Sequence, residues 1–139
     1  MVNQKTAVAL TGRSGEELEE YKKLLLKLNN EVVAAAPEDL LINTHVCRGN
    51  YHSTFFSSGA YDSVAELLFG EENVNAYYLE YDDERSGGFA PLAKVTGDKK
   101  VVLGLITTKT PELEDREKVI NRIHQAAKYI PLDRLYLSP

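Results

Sequence analysis

Four short runs rich in Val, Ile, Leu and Tyr, each bounded by polar or turn-forming residues, set the rhythm of the chain: Leu40 to Cys47, Val74 to Tyr81, Val101 to Thr107 and Leu135 to Ser138. Runs of this length predict strands in a sheet covered on both faces. Between them the apolar spacing switches to three and four, which predicts helices. The first helix is expected from Gly15 to Ala35, with Leu18, Tyr21, Leu25, Leu28 and Val32 turned to a core, Ser14 and Glu17 forming a capping box, and Pro37 ending it. The last is expected to start with Thr110 as N-cap and Pro111 at its first position. It would send Leu113, Ile120, Ile123, Ala127 and Ile130 inward and pair Glu112 with Arg116 and Glu114 with Lys118 outside. Two shorter helices are predicted, from Asp62 to Phe69 and from Phe89 to Val95, the second interrupted by Pro91.

Strand alternating with helix is the signature of β/α crossovers and a parallel sheet. Strand starts fall about 34, 26 and 34 residues apart, the length of a strand, a crossover helix and two loops. The fold class expected is therefore α/β, with about four units of the kind that build a (β/α)8 barrel. A complete barrel takes about 250 residues, so four units supply roughly its half, and residues 1–139 are expected to form one partial barrel domain. Its exposed sheet edges would invite a homo-oligomer.

Composition narrows the function. Hydrophobic residues make up 43% and charged residues 27%, ordinary globular usage that argues against disorder. The net charge is -5 and the basic residues form no stripe, so nucleic acid is not an expected partner. No stretch approaches the run of about 20 apolar residues that a membrane helix needs, and the N-terminus has no signal-peptide core. A cytoplasmic protein is expected. A single cysteine precludes an internal disulfide and leaves Cys47 available for metal or nucleophilic chemistry, against the plainer reading of an inert buried thiol.

The sharpest local feature is Thr44-His45-Val46-Cys47, at the end of the first strand. Strand residues two apart face the same way, so His45 and Cys47 would present a nitrogen and a sulfur together. That pair suits zinc, and sites on parallel β/α folds gather at the carboxyl ends of strands. The alternative is a core thiol beside a hydrogen-bonded histidine. The next strand ends in Leu79-Glu80-Tyr81-Asp82-Asp83-Glu84-Arg85-Ser86. Glu80, held between two apolar residues, is the candidate third ligand, with Asp82 and Glu84 as substitutes; a buried carboxylate there calls for a cation, whether zinc or an arginine. The segment after Cys47, from Arg48 to Gly59, has the character of a substrate-binding loop. Arg48 is its candidate for a substrate carboxylate, because the planar guanidinium matches that group; a surface ion pair is the alternative. His52 reads as a loop residue and His124 as structural. Glycine-rich phosphate loops, a serine nucleophile elbow, HExxH and EF-hand patterns are all missing, which disfavours nucleotide chemistry.

On these residues the sequence resembles the cobalamin-independent methionine synthase family, in particular its shorter single-barrel bacterial relatives. The matching stretches are Leu28 to Val32, Thr44 to Tyr51, Tyr78 to Gly87 and Leu135 to Pro139. The resemblance implies a (β/α)8 barrel in which zinc binds a homocysteine-like thiol and a methylated folate supplies the methyl group, in methionine biosynthesis. It assigns zinc to His45, Cys47 and Glu80. The family's fourth ligand, a cysteine in a Cys-Gly motif, would follow the strand that here reads Leu137-Ser138-Pro139, and the first half of the barrel has no counterpart in this sequence. Weak zinc binding and little activity are expected of these residues alone. A related uroporphyrinogen decarboxylase-like barrel and a non-catalytic, self-associating half-barrel are the competing readings.

Overall fold

A computed structural model describes residues 3–139. Two helices come first, α1 over Gln4–Thr11 and α2 over Gly15–Ala34, followed by β1 at Asn43–Val46, β2 at Ala76–Glu80, β3 at Lys100–Gly104, α3 at Arg116–Ala126 and β4 at Leu135–Ser138. All strand pairs are parallel and the spatial order is β1-β2-β3-β4, the same as the chain order. This is the strand arrangement of consecutive β/α units.

The expected strands are all present, and the first three are trimmed. Leu40 and Leu41 lie outside β1 because the Leu40 N–H is taken by Pro37 in a turn, and the two side chains stay exposed. β3 stops at Gly104, where a Cβ would come within 3.0 Å of the Leu79 carbonyl and 3.2 Å of the Pro139 carbonyl. Only glycine lets three strand ends approach so closely there.

One face of the sheet carries the core. Tyr77, Leu79, Val101 and Leu103 pack with Tyr61, Phe69, Tyr81, Leu92, Ala126 and Ile130 in one cluster of buried side chains. The aromatic members interlock, with Phe69 to Tyr77 and Tyr61 to Tyr81 both at 5.1 Å between ring centroids. Edge and tilted contacts of this kind add to the burial of large rings. The opposite face carries His45, Tyr78, Val102 and Tyr136 in register across the four strands, and Tyr78 and Tyr136 remain open to solvent.

Several helix expectations are corrected. α1 was not anticipated: Asn3 caps it by accepting the Thr6 N–H at 2.9 Å, and Gly12 ends it in a left-handed conformation. At α2 the Ser14 side chain makes no capping hydrogen bond, and Glu17 pairs with Arg13 instead. The apolar side of α2 also fails to find a core. Leu18 is fully buried, but Leu25, Leu28 and Val32 are exposed, Val32 by 73%. α2 docks mainly on a π-helical turn at Glu66–Glu71, where Asn30 binds the Glu71 carbonyl and Asn29 binds Glu72.

The last helix starts five residues later than expected, with Asp115 as N-cap accepting the Lys118 N–H at 3.0 Å. Thr110, Pro111 and Glu112 belong to the preceding loop and Leu113 is 95% exposed. The reason is competition: Glu114 accepts the Thr107 N–H at 2.6 Å and Lys109 is drawn to acidic groups at the strand ends, which holds this segment off a helical path. Glu114 is thereby unavailable to Lys118. The short helix expected from Asp62 to Phe69 appears as a 3₁₀ turn at Tyr61–Ser63 followed by the π-helical turn at Glu66–Glu71, and the one expected from Phe89 to Val95 as a 3₁₀ turn at Ala90–Lys94.

Candidate functional site

The carboxyl ends of the strands open onto a cavity of ≈ 390 Å³ whose walls include His45, Cys47, Glu80, Asp82, Gly104, Lys109 and Ser138. β1 and β2 pair from Asn43 with Ala76 up to Val46 with Leu79. Continuing that register by one residue sets Cys47 alongside Glu80, on the same face as His45. His45 and Cys47 are both exposed. The two side chains therefore stand on one side of the sheet with an open route to solvent, and Glu80 borders the same cavity.

Glu80 is buried and heavily engaged. Its Oε2 accepts the Arg48 backbone N–H at 2.5 Å, and its Oε1 lies 3.0 Å from Lys109 Nζ and 3.6 Å from Arg85 Nη2. The cation required beside this carboxylate is supplied by the chain's own side chains. Oε1 makes no well-aligned hydrogen bond, unlike Oε2. Asp82 is joined to the same group through Lys109 at 2.7 Å, Thr107 at 2.9 Å and Arg85 at 3.5 Å. Burial pushes the Asp82 carboxyl up, but its bonds from Lys109 and Thr107 outweigh that and hold it below the usual value. On Lys109 burial works downward, and the two carboxylates overcome it to raise the ammonium above its usual value. Glu84 is exposed and does not border the cavity.

Arg48 is placed away from the cavity. It is 1% exposed, and its guanidinium donates to the Gly59 carbonyl, the Tyr61 hydroxyl and the Glu80 carbonyl while stacking 4.3 Å from the Tyr61 ring. Its donors hold the strand ends and the loop together. His52 sits exposed at the loop tip against Tyr51, and His124 is exposed on α3.

Two residues of this arrangement escaped the sequence reading, Lys109 and Tyr61. Lys109 follows β3 at its carboxyl end, the position where such folds collect functional groups, and that placement was its one signal. Tyr61 carried no signal at all.

Among the described residues, no three His, Cys, Asp or Glu side chains stand close enough together to enclose a metal ion. The donor types are nonetheless those zinc takes, an imidazole, a thiol and a carboxylate bordering one cavity, although the Glu80 Oε1 is already paired with Lys109 at 3.0 Å. Glu80 would have to exchange its ammonium partner to take part.

The match that decides the family covers residues 17–139, which fit the model for the catalytic domain of cobalamin-independent synthases. The chain belongs to the cobalamin-independent synthase family. This synthase-family chain is 45% identical over 126 residues to the uncharacterized protein YxjG of Bacillus subtilis (strain 168), covering 90% of this chain and 33% of that protein. Over the same length it is 48% identical to the uncharacterized protein YxjH of the same organism, again covering 90% of this chain and 33% of the relative. It is also similar to a crystal structure from Listeria monocytogenes assigned provisionally as a vitamin-B12-independent methionine synthase. That likeness has 43% identity and a TM-score of 0.71, and it covers 92% of this chain and 35% of the other. The synthase-family chain thus spans about one third of the length of these relatives. Its four parallel strands are a portion of the barrel of that family, in agreement with the α/β half-barrel expected from the sequence. No helix among the described residues is long and apolar enough to cross a membrane.

Proposed function

We propose that this chain supplies the thiol-activating portion of an S-methyltransferase active site, in which a homocysteine-like thiol accepts a methyl group from a methylated folate. Residues 1–139 act in this reading as part of a single barrel domain. The observation that carries it is the placement of His45 and Cys47 on one open sheet face with Glu80 beside them in the same cavity. Membership of the cobalamin-independent synthase family supports the reaction class.

His45 and Cys47 would hold zinc, with Glu80 as the oxygen ligand. When bound, zinc supplies a Lewis acid that lets a substrate thiol lose its proton near neutral pH. The chain's own residues do the rest. β1 carries the imidazole and Cys47 directly follows its last residue, so the two side chains border one cavity. The Arg48 N–H holds one oxygen of Glu80. Arg48 is proposed to position that carboxylate and the loop after Cys47, since its guanidinium is spent on the Gly59, Tyr61 and Glu80 oxygens.

The test is zinc titration with metal analysis on the whole 139-residue chain. Cys47→Ser and His45→Ala should each lower bound zinc sharply; retention of wild-type zinc by Cys47→Ser would remove the assigned site. A self-associating half-barrel is favoured by one observation, the exposed apolar side of α2 together with the unpaired outer edges of β1 and β4. Light scattering separates the two readings, because self-association predicts a dimer mass and loss of dimer on Val32→Lys.

A further inference from the structure

Glu80 has two oxygens with different duties. Oε2 is fastened to the Arg48 N–H at 2.5 Å, so Oε1 is the oxygen left for a cation in the cavity. Lys109 Nζ stands 3.0 Å from it. The same ammonium is 2.7 Å from Asp82 Oδ2, and the Thr107 hydroxyl donates to that Asp82 oxygen at 2.9 Å. The three charged side chains are almost enclosed, at 9% for Glu80, 3% for Asp82 and 12% for Lys109. An ammonium 3.0 Å from that oxygen and a metal ion bound to it would repel each other at close range, so the two compete for Glu80.

We infer that Lys109 is the internal rival of the metal for Glu80 Oε1, and that Asp82 is where the ammonium is held once Glu80 turns that oxygen to a metal. The inference rests on the reading of His45, Cys47 and Glu80 as ligands. Asp82 suits the receiving role for two reasons. Its contact with Lys109 is already the shorter of the two, and the Thr107 hydroxyl fixes the accepting oxygen in place. The transfer therefore needs a small swing of one ammonium and no exposure of a buried charge. Losing the Glu80 contact while keeping the Asp82 contact costs less than expelling Lys109 from a nearly closed site. Lys109 and Asp82 act on the metal through Glu80 and are positioning residues.

The experiment is a double-mutant cycle in zinc affinity, read by competition with a chromogenic chelator at fixed pH and ionic strength, on the full chain with folding checked by circular dichroism. Lys109→Met should tighten zinc by about tenfold, the equivalent of one charge-assisted contact removed from competition. In a Glu80→Gln background the same substitution should change nothing. Asp82→Asn should weaken zinc, because Lys109 then has Glu80 alone, and adding Lys109→Met should erase that loss. Lys109→Gln is measured in parallel, since it keeps the stem and a donor should the Met variant fold poorly. Equal tightening by Lys109→Met with and without Glu80 would reduce the effect to a general loss of positive charge and overturn the rivalry. Unchanged or weaker binding by both Lys109 variants would overturn it as well. If Glu80→Gln alone leaves zinc affinity at the wild-type value, Glu80 is no ligand and the site reading itself fails, a result distinct from failure of the Lys109 assignment.

Discussion

The Tyr61 hydroxyl accepts the backbone N–H of Glu80 at 2.9 Å, just past the point where β1 and β2 cease to pair. It donates to the Val46 carbonyl at 2.8 Å and receives a bond from Arg48 at 3.1 Å. One fully buried phenol thus bridges two strands at the position where Cys47 and Glu80 diverge toward the cavity. Tyr61→Phe is expected to destabilise the chain by about 1–3 kcal/mol, because it strands a buried N–H and a buried carbonyl without partners. Urea unfolding of the two proteins measures the difference; a change below about 0.5 kcal/mol, the range of an ordinary surface substitution, would deny the bridge its role.

Buried phenols also set the alkaline limit. Burial pushes Tyr61 up to about 12 and raises Tyr77 and Tyr81 as well. The unfolded chain ionises these groups near the ordinary value of 10.0 while the folded chain keeps them neutral. Stability is therefore intact below pH 10 and is lost as pH rises above it. Ultraviolet titration should find the ionisation of these three phenols delayed until the fold opens. Their ionisation near 10 in the folded chain would contradict the packing.

Glu72 gives the opposite end of the scale. It is 2% exposed, with one oxygen bound by Asn29 and the other without a hydrogen bond. Burial raises its carboxyl above the ordinary 4.5. The folded state binds this proton more readily than the unfolded state, so stability falls as pH rises through the window above 4.5. Glu72→Gln should raise the thermal midpoint by a few degrees at pH 7, and the gain should shrink toward pH 4.5. A gain that is absent at pH 7, or constant with pH, would show that the carboxylate is well accommodated.

The strand rhythm was legible because runs such as Val101 to Thr107 are apolar on both faces and sit between clear turn residues. The same rule placed His45 and Cys47 at a strand end, on one face, from two-residue spacing alone. Where the reading failed, a side chain was recruited by something distant in sequence. Pro111 after Thr110 is a good local helix start, but Glu114 and Lys109 are bound to Thr107, Glu80 and Asp82, and the start moved to Asp115. Arg48 looked like a ligand-binding arginine in a polar loop; nothing local revealed that Tyr61 and the Gly59 carbonyl would enclose it. α1 was missed because its apolar residues run consecutively, Ala7 to Leu10, without the three- and four-residue spacing of an amphipathic helix, although Asn3 and Gly12 marked both of its ends.

The apolar side of α2 offers a fourth test. Leu18 is sealed while Val32, on the same expected stripe, is 73% exposed. Leu18→Ala should cost about 2–5 kcal/mol. In the isolated chain at low concentration, Val32→Lys should stay within about 0.5 kcal/mol. Both are read from denaturant midpoints. Equal penalties for the two would mean that Val32 is covered in solution.

Arg48 anchors the segment that follows it as well as the strand ends beside it. Its carbonyl receives the N–H groups of Phe56 and Ser57 at 2.8 and 3.0 Å, and Gly49 adopts a φ of 93° with Phe56 pressed so close that a Cβ would meet it at 3.0 Å. Tyr51 and Thr54 close on each other above this base, leaving His52 and Ser53 at the apex. The hairpin is consequently split into a stem that cannot vary without disturbing the backbone next to Cys47 and a crown that can be rewritten at small cost. Substitutions at His52 and Ser53 would leave the backbone that carries His45 and Cys47 untouched.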